Sequence, residues 1–382
     1  MALLIDIGDL SDEQTDRALN TIYKAIHSHD GEDSIWSQHE SVFIRRLIEL
    51  FTQRGLMRLD GFRKELEQWL AGERHTGGPR VARPAGYMQR WTPTELSFVR
   101  TYLEALPRDA FVLDDWMMVI DYLAQRYLPA DDLRKESDWL AIRSTMMGAV
   151  QANIDAMTER QADRVLDAMP STAEEAGATL NRTQRVVLEY ARARGAENVQ
   201  RIADNTRHRM RNLIIEHTEQ EALGGSKVSS SSLQAKLADE FATLNRDWRR
   251  IAVTEAGENA NQGLIASLKP GSRVKRMEYY ESACGWCRKI DGMIMRVVSP
   301  DDPDKNGDTD VWVGKTNLGR SAAPRKRVGS LLVHREPEEL YWVAAGTQHP
   351  HCRGWWQALP DAHPDDDPVF AEWLNNLFKG QE

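Results

Sequence analysis

The feature that most constrains the fold is the placement of the cysteines. The chain of 382 residues contains three, and all of them lie in two short motifs, Cys284-Gly-Trp-Cys287 and His349-Pro-His-Cys352. Each motif presents two soft or borderline ligands from one tight turn, which suits tetrahedral zinc. An odd number of cysteines argues against a framework of disulfides alone. The spacing therefore predicts a zinc site formed by Cys284, Cys287, His349 and Cys352.

Two questions about this site stay open at the level of sequence. His351 is the alternative imidazole ligand, although the HxxC spacing and the restraint of Pro350 on the turn favour His349. The site would close a loop of 61 residues between Cys287 and His349, which is longer than in a compact zinc finger. The other interpretation is a set of free thiols beside a buried His349, or a disulfide.

The chain as a whole bounds the class of protein. Its length predicts two or three domains with substantial cores. It has neither an apolar run of about 18 residues nor a basic N-terminal region, so we expect no membrane span and no secretory signal. Thiols in such a protein are expected to be reduced, which favours a metal over a disulfide. A net charge of −9 disfavours electrostatic nucleic-acid binding by the chain as a whole.

The charge is unevenly distributed near the C-terminus. Residues 269–335 contain 14 Lys/Arg and 8 Asp/Glu, a net charge of +6, whereas residues 336–382 contain 2 and 9, a net charge of −7. This asymmetry fits a basic module that meets an acidic surface, either its own tail or another subunit. Two ordinary solvated faces explain it as well.

Hydrophobic periodicity predicts helices through residues 1–268. A capping box begins a helix over 11–26, and residues 34–72 carry an apolar face at helical spacing. Residues 73–88 are rich in Gly and Pro, which predicts a loop or hinge. The next helix starts at Thr92, because Thr is a good cap and Pro suits the first turn.

Two further stripes are the clearest in the chain. Apolar residues recur at helical spacing over 199–217 and over 233–251, and the second helix extends to Leu268. The connection at Gly224-Gly225 is short, so we expect the two helices to pack as antiparallel neighbours.

After residue 272 the pattern changes to short β-type runs separated by long polar loops. Residues 368–378 then return to a wide apolar stripe at helical spacing. The β-type runs are Val274–Tyr280, Met293–Val298, Leu331–Val333 and Trp355–Leu359.

The predicted fold class is α+β. The N-terminal two thirds is mostly helical with long antiparallel helices, and a small α+β module stapled by zinc follows. The predicted divisions are a helical region at 1–190, a long helical pair at 191–268, the cysteine-containing module at 269–360, and an acidic linker with an amphipathic C-terminal helix at 361–382.

The order of the motifs is similar to that of a known family. Over about residues 195–358 the chain resembles the Mu F-like minor head proteins of tailed bacteriophages, also called the head morphogenesis family, whose pattern includes an IARTE helix, a CxxC motif and a terminal HPxCRC. The matching pieces are Arg249–Glu255, the helix end near Gly263, Cys284–Gly292 and Gln348–Arg353.

The chain departs from the family pattern at two positions. Val253 stands where the family has the Arg of RTE, and Gly354 stands where it has the last Cys of CRC. The second difference bears on the metal. It leaves His349 as the fourth ligand, or it signals that the metal is absent.

The resemblance implies a structural virion component. Members of the family are low-copy head proteins that associate with the portal and procapsid during assembly in the host cytoplasm, and some leave with the DNA. The implied partners are the portal protein, the major capsid protein or the scaffold, with no membrane and with nucleic acid only as packaged genome. No enzymatic activity is implied. The alternatives are a virion-packaged effector enzyme (a nuclease or transferase) and a zinc-ribbon nucleic-acid-binding module.

Other motifs give weaker signals. Asp302, Asp304 and Asn306 copy the first half of a calcium-binding loop, but position 12 is Val313 where a bidentate Glu is required, so an acidic turn is the favoured interpretation. Glu255 on a long helix near arginines is expected to form an ion pair. The sequence contains no Ser/His/Asp order, P-loop or HExxH motif, so we expect no catalytic residues.

Overall fold

The computed structural model describes most of the chain. The predicted helix at 11–26 lies outside the described residues. Within the described part, no helix combines the length and apolar character needed to cross a membrane. The described ranges are 41–84, 90–151, 158–224, 230–280, 283–318, 325–329, 331–363 and 368–378.

The N-terminal two thirds is helical, which confirms the first half of the predicted fold class. Where it is described, the predicted loop at 73–88 contains no helix or strand. The helices are α1 (Val42–Ala71), α2 (Pro93–Ala105), α3 (Leu113–Tyr127), α4 (Ala130–Gln151), α5 (Glu159–Ala168), α6 (Ala173–Thr179), α7 (Arg182–Gly224) and α8 (Ser230–Ala266), with a 3-10 turn at Arg108–Ala110.

Local signals set several helix boundaries. The N-terminus of α2 is the predicted one: the Thr92 hydroxyl accepts a bond from the Glu95 amide at 3.3 Å, and the Glu95 carboxylate accepts one from the Thr92 amide at 2.8 Å. This reciprocal pair satisfies two amides that the first turn leaves free. α1 ends at Gly72, whose φ of +86° suits a residue without a Cβ.

The two longest helices, α7 and α8, run antiparallel side by side, as predicted. Side-chain bonds tie Gln184 to Ser267, Arg194 to Glu255 and Arg209 to Glu240, so positions rise along one helix as they fall along the other. α7 begins earlier than the predicted stripe. The division proposed between residues 190 and 191 therefore passes through a continuous helix.

α8 is the central element of the molecule. It packs on α1, α4 and α7, and its C-terminal end reaches the sheet of the module. Its crossing with α4 is unusually close, because a Cβ placed on Gly263 would lie 2.2 Å from the Thr145 carbonyl oxygen and one on Gly148 only 1.9 Å from the Ala260 carbonyl oxygen. Glycine at both positions permits this approach of the two backbones.

The C-terminal module contains a mixed four-stranded sheet of order β3-β2-β1-β6 and a separate β4-β5 hairpin. β1 pairs antiparallel with β2 and β6, and β2 pairs parallel with β3. Four of the strands were predicted as β-type runs, while β3, β4 and the short helices were not. The elements are β1 (Arg273–Met277), α9 (Gly285–Ile290), β2 (Ile294–Val297), β3 (Asp310–Val311), β4 (Arg325–Val328), β5 (Leu331–His334), α10 (Pro337–Leu340) and β6 (Trp355–Ala358).

The tail folds back onto the helical part. α11 (Pro368–Phe378) buries Phe370 and Leu374 in the core of the helices and packs on α6. The predicted apolar stripe is narrower than expected, because Val369 is 51% exposed. Upstream of α11, Arg273 and Asp361 form an exposed ion pair at 2.6 Å.

Candidate metal centre

The first pair of ligands is presented by the start of α9. Cys284 is the N-cap residue of this helix, and its sulfur accepts a bond from the Cys287 amide at 3.5 Å. The cap conformation points both thiols to the same side of the turn. Cys287 is fully buried and Cys284 is half-buried.

The second pair is presented by a tight turn that depends on an unusual backbone conformation. The Cys352 amide donates to the His349 carbonyl at 3.1 Å, and His351 between them has a φ of +70°. Among the described residues other than glycine it is alone in having a positive φ, an uncommon conformation that tends to cluster at functional sites. The His351 amide is held by the Thr254 hydroxyl of α8 at 3.0 Å.

The tautomer of His349 leaves the correct nitrogen free. Its Nδ1 lies 2.8 Å from the Pro350 carbonyl oxygen, which can only accept, so Nδ1 carries the proton. In the neutral imidazole, Nε2 then presents its lone pair to the thiols of Cys284 and Cys287, at 3.3 and 3.2 Å. A hydrogen bond from the far nitrogen is the usual way in which proteins orient a metal-binding histidine.

The donor spacing fits a metal ion. Zinc bonded to sulfur at about 2.3 Å and to nitrogen at about 2.05 Å separates two sulfurs by about 3.8 Å and a sulfur from a nitrogen by about 3.6 Å. The Cys287 and Cys352 sulfurs are 4.0 Å apart. The donors of Cys284, Cys287 and His349 lie within 4.8 Å of one another, and Cys352 joins this cluster through Cys287. The four predicted ligands converge into a cluster that can bind a metal ion.

The electrostatics of the cluster favour thiolates at Cys284 and Cys352, whereas hydrogen bonds to these two sulfurs raise the pKa of Cys287. Hydrogen bonding from Cys287, and then from His349, lowers the pKa of Cys284 to about 4. Burial alone would raise the pKa of Cys352, but Cys287, Arg276 and His349 hold that pKa well below its usual value. Burial opposes protonation of His349, yet the neighbouring thiols raise its pKa to about 9. A metal would therefore displace a proton from His349.

His351 does not join the cluster. Burial first, and then the cations Arg250 and His349, lower its pKa to about 4. The choice of His349 over His351 from the motif spacing agrees with the geometry.

The sequence analysis did not predict the buried ion pair that lies beside Cys352. Arg276 and Glu278 are both fully buried and form an ion pair at 2.7 Å. The Cys352 sulfur lies 3.6 Å from Arg276 Nη2 and 3.5 Å from each Glu278 carboxylate oxygen. The signal was present in the alternation along β1, since Arg276 follows the buried Val274 at a spacing of two.

In the loop that resembles a calcium site, carbonyl oxygens accept hydrogen bonds from a lysine side chain of the same chain. Lys315 is fully buried and donates its ammonium to the carbonyl oxygens of Gly307 at 2.6 Å and Asp310 at 2.8 Å. The Asp302 carboxylate accepts from the Asp304 amide at 2.9 Å, and Asp310 pairs with an arginine of β2. These contacts use the polar groups of the loop for its own structure.

Glu255 is engaged in structural contacts. Its carboxylate accepts bonds from Arg194 at 3.0 and 3.1 Å and from Asn198 at 2.9 Å. Burial raises its pKa against the opposing effect of Arg194. The adjacent gap has no room for a water molecule.

Comparisons of the chain with protein-family models, curated proteins and solved structures find no match.

Proposed function

We propose that this chain is a structural minor head protein of a tailed bacteriophage, which binds the portal or the inner capsid during head assembly, and whose C-terminal module is held together by zinc. The observation that carries the proposal is that the motif pieces resembling the Mu F-like family, although far apart in sequence, meet along the C-terminal half of α8. The Thr254 hydroxyl accepts from the His351 amide, and His349 contacts Cys284 and Cys287.

Hydrogen bonds join the motif helix to the second ligand turn. The Glu258 carboxylate accepts from the Thr347 amide at 2.6 Å and from its hydroxyl at 3.1 Å. The Asn261 side chain donates to the Gly354 carbonyl at 2.9 Å and accepts from the Trp356 amide at 3.2 Å. These polar groups are buried, so each bond avoids the cost of an unpaired group. These bonds form a structural connection, called the joint below, between α8 and the C-terminal module.

The joint favours a structural role over an enzymatic one. Glu255 is occupied by Arg194 and Asn198, and Arg353 is buried with its guanidinium 5.9 Å from the centre of the Tyr280 ring. Both residues lie in the motifs of the resemblance, and both serve packing. A rigid joint between a helical body and a small module suits a protein that must hold its shape between two larger partners.

Zinc accounts for the donor set of the module. Cys and His side chains at these separations are the usual ligands of structural zinc, and binding to the folded state alone adds to its stability. The module core is small and is interrupted by long loops. An ion that ties α9 to the 349–352 turn would close the long chain segment between them.

The test is quantitative mass spectrometry of purified heads of the phage that encodes the chain. We expect its peptides at low copy relative to the major capsid protein. Incorporation should fall in His349→Ala particles, whereas His334→Ala, at an exposed histidine of β5, should leave incorporation unchanged.

Absence of the chain from procapsids and from mature heads would overturn the proposal. A hydrolase, nuclease or transferase activity that Glu255→Ala abolishes while assembly persists would favour the effector-enzyme alternative. Tight, steeply salt-dependent DNA binding by the full chain without incorporation into heads would favour the nucleic-acid-binding alternative.

A further inference from the structure

A buried carboxylate lies on the inner side of the thiol cluster. The donors of Glu278, Cys287 and Cys352 are within 4.8 Å of one another, so Cys287 belongs both to this group and to the group of Cys284 and His349. Each Glu278 oxygen is 3.5 Å from the Cys352 sulfur. A sulfur and an oxygen bound to the same zinc ion, at about 2.3 and 2.1 Å, lie about 3.1–3.6 Å apart for bond angles of about 90–110°.

We propose that Glu278 binds the metal ion directly, as a carboxylate ligand from the buried side of the cluster. The two donor groups share Cys287, and both would close around one ion held by the three thiolates, His349 and Glu278. This inference rests on the metal centre put forward above and adds a ligand that the cysteine and histidine motifs do not reveal.

The charges of the site call for a cation at this place. In the metal-bound state, three thiolates and one carboxylate bring four negative charges into the cluster, where the buried Arg276 supplies a single positive charge. A carboxylate oxygen facing a thiolate at 3.5 Å is repulsive unless a proton or a cation lies between them. A divalent ion bound to both leaves a residual charge of one, which is far less costly to bury.

The backbone is shaped to admit the carboxylate. A Cβ placed on Gly354 would lie 2.2 Å from the Glu278 carboxyl carbon and within 2.3 Å of both its oxygens. The Glu278 side chain therefore occupies the space that any larger residue at 354 would take. Its amide donates to the Asp291 carboxylate at 2.7 Å, which fixes the direction of the chain just after β1.

The test uses the full chain loaded with zinc or with cobalt(II), whose absorption reports coordination. In Glu278→Gln we expect one bound ion and unchanged sulfur-to-cobalt charge-transfer bands, because all three thiolates remain. The d–d bands should grow stronger as five-coordinate cobalt becomes tetrahedral. Zinc affinity, measured against a chromophoric chelator, should fall by at least the roughly ten- to hundredfold that the loss of an outer-shell partner costs.

A second variant guards against misfolding of the first, since Glu278→Gln leaves Arg276 buried without its partner. Gly354→Ala keeps both charges and displaces the carboxylate sterically, so it should produce the same spectral change. Gly307→Ala is the matched control, because a Cβ there meets nothing within 4 Å.

The outcomes separate the two proposals. A wild-type chain that binds no ion overturns the metal centre and this inference together. A wild-type chain that binds one ion, with cobalt spectra unchanged in Glu278→Gln and Gly354→Ala, overturns the ligand role of Glu278 alone. A loss of affinity without a spectral change also overturns it, because that result assigns Glu278 to the outer shell.

Discussion

The docking of the C-terminal helix makes a sharp prediction about two adjacent residues. Phe370 is 5% exposed and packs into the core of the helices, whereas Val369 next to it is 51% exposed. Truncation of a buried Phe to Ala typically costs about 3–5 kcal/mol, and a surface substitution costs less than about 0.5 kcal/mol. Phe370→Ala should therefore destabilise the docked helix and Val369→Ala should not.

The magnitude has an upper bound set by the structure. α11 has 11 residues and contacts the body mainly through α6, so once the helix detaches, no further stability is lost. We expect a loss near the lower end of the range, about 3 kcal/mol, which corresponds to roughly a hundredfold larger opening constant. A helix this short does not persist alone, so the detached segment should unfold.

The assay is hydrogen–deuterium exchange of the peptide that covers 368–378. Its amides should exchange about two orders of magnitude faster in Phe370→Ala and at the wild-type rate in Val369→Ala. Equal exchange in wild type and both variants would refute the reasoning, since it would mean that the burial of Phe370 contributes nothing to holding the tail.

Three further predictions follow from particular contacts. The pKa of His349 is raised to about 9, so its protonation should stabilise the metal-free protein most fully below pH 6.5, and this contribution should be lost as the pH rises through 9. Zinc affinity should rise over the same interval, because the imidazole then loses its proton without help from the metal. Thermal melts with and without chelator check the sign of both effects. Gly148→Ala should force α4 away from α8 and lower the free energy of unfolding, measured with denaturant, by about 1–3 kcal/mol or more. Gly177→Ala is the control: its new Cβ meets only a side-chain atom at 3.8 Å, so this change should leave the stability unchanged or raise it. Glu255→Ala should lower stability by about 1–3 kcal/mol because Arg194 and Asn198 lose a buried hydrogen-bond acceptor, and unchanged unfolding curves would contradict this.

Helix positions were largely available from the sequence because they depend on local pattern. The stripes over 199–217 and 233–251 and the Thr92 cap are periodic or short-range signals, and α2, α7 and α8 follow them. The short strand β3 and the hairpin strand β4 were missed, since two- to four-residue strands carry almost no periodicity of their own.

The residues of the candidate metal centre were likewise predictable from the sequence only in part. The sequence determined Cys284, Cys287, His349 and Cys352, because two tight turns impose their ligand spacing locally. Only the tertiary structure decided that Glu278 lies beside them, since it is supplied from the end of a strand and its place depends on how β1 packs.

For the C-terminal helix, the sequence predicted the helix but not the surface on which it packs. The apolar stripe of residues 368–378 is visible in the sequence, but the groove that receives Phe370 is built by helices nearly two hundred residues away in sequence. Burial of a charge or the choice of a docking groove depends on which distant surfaces meet. Local sequence fixes what a segment can form, and long-range packing fixes what it touches.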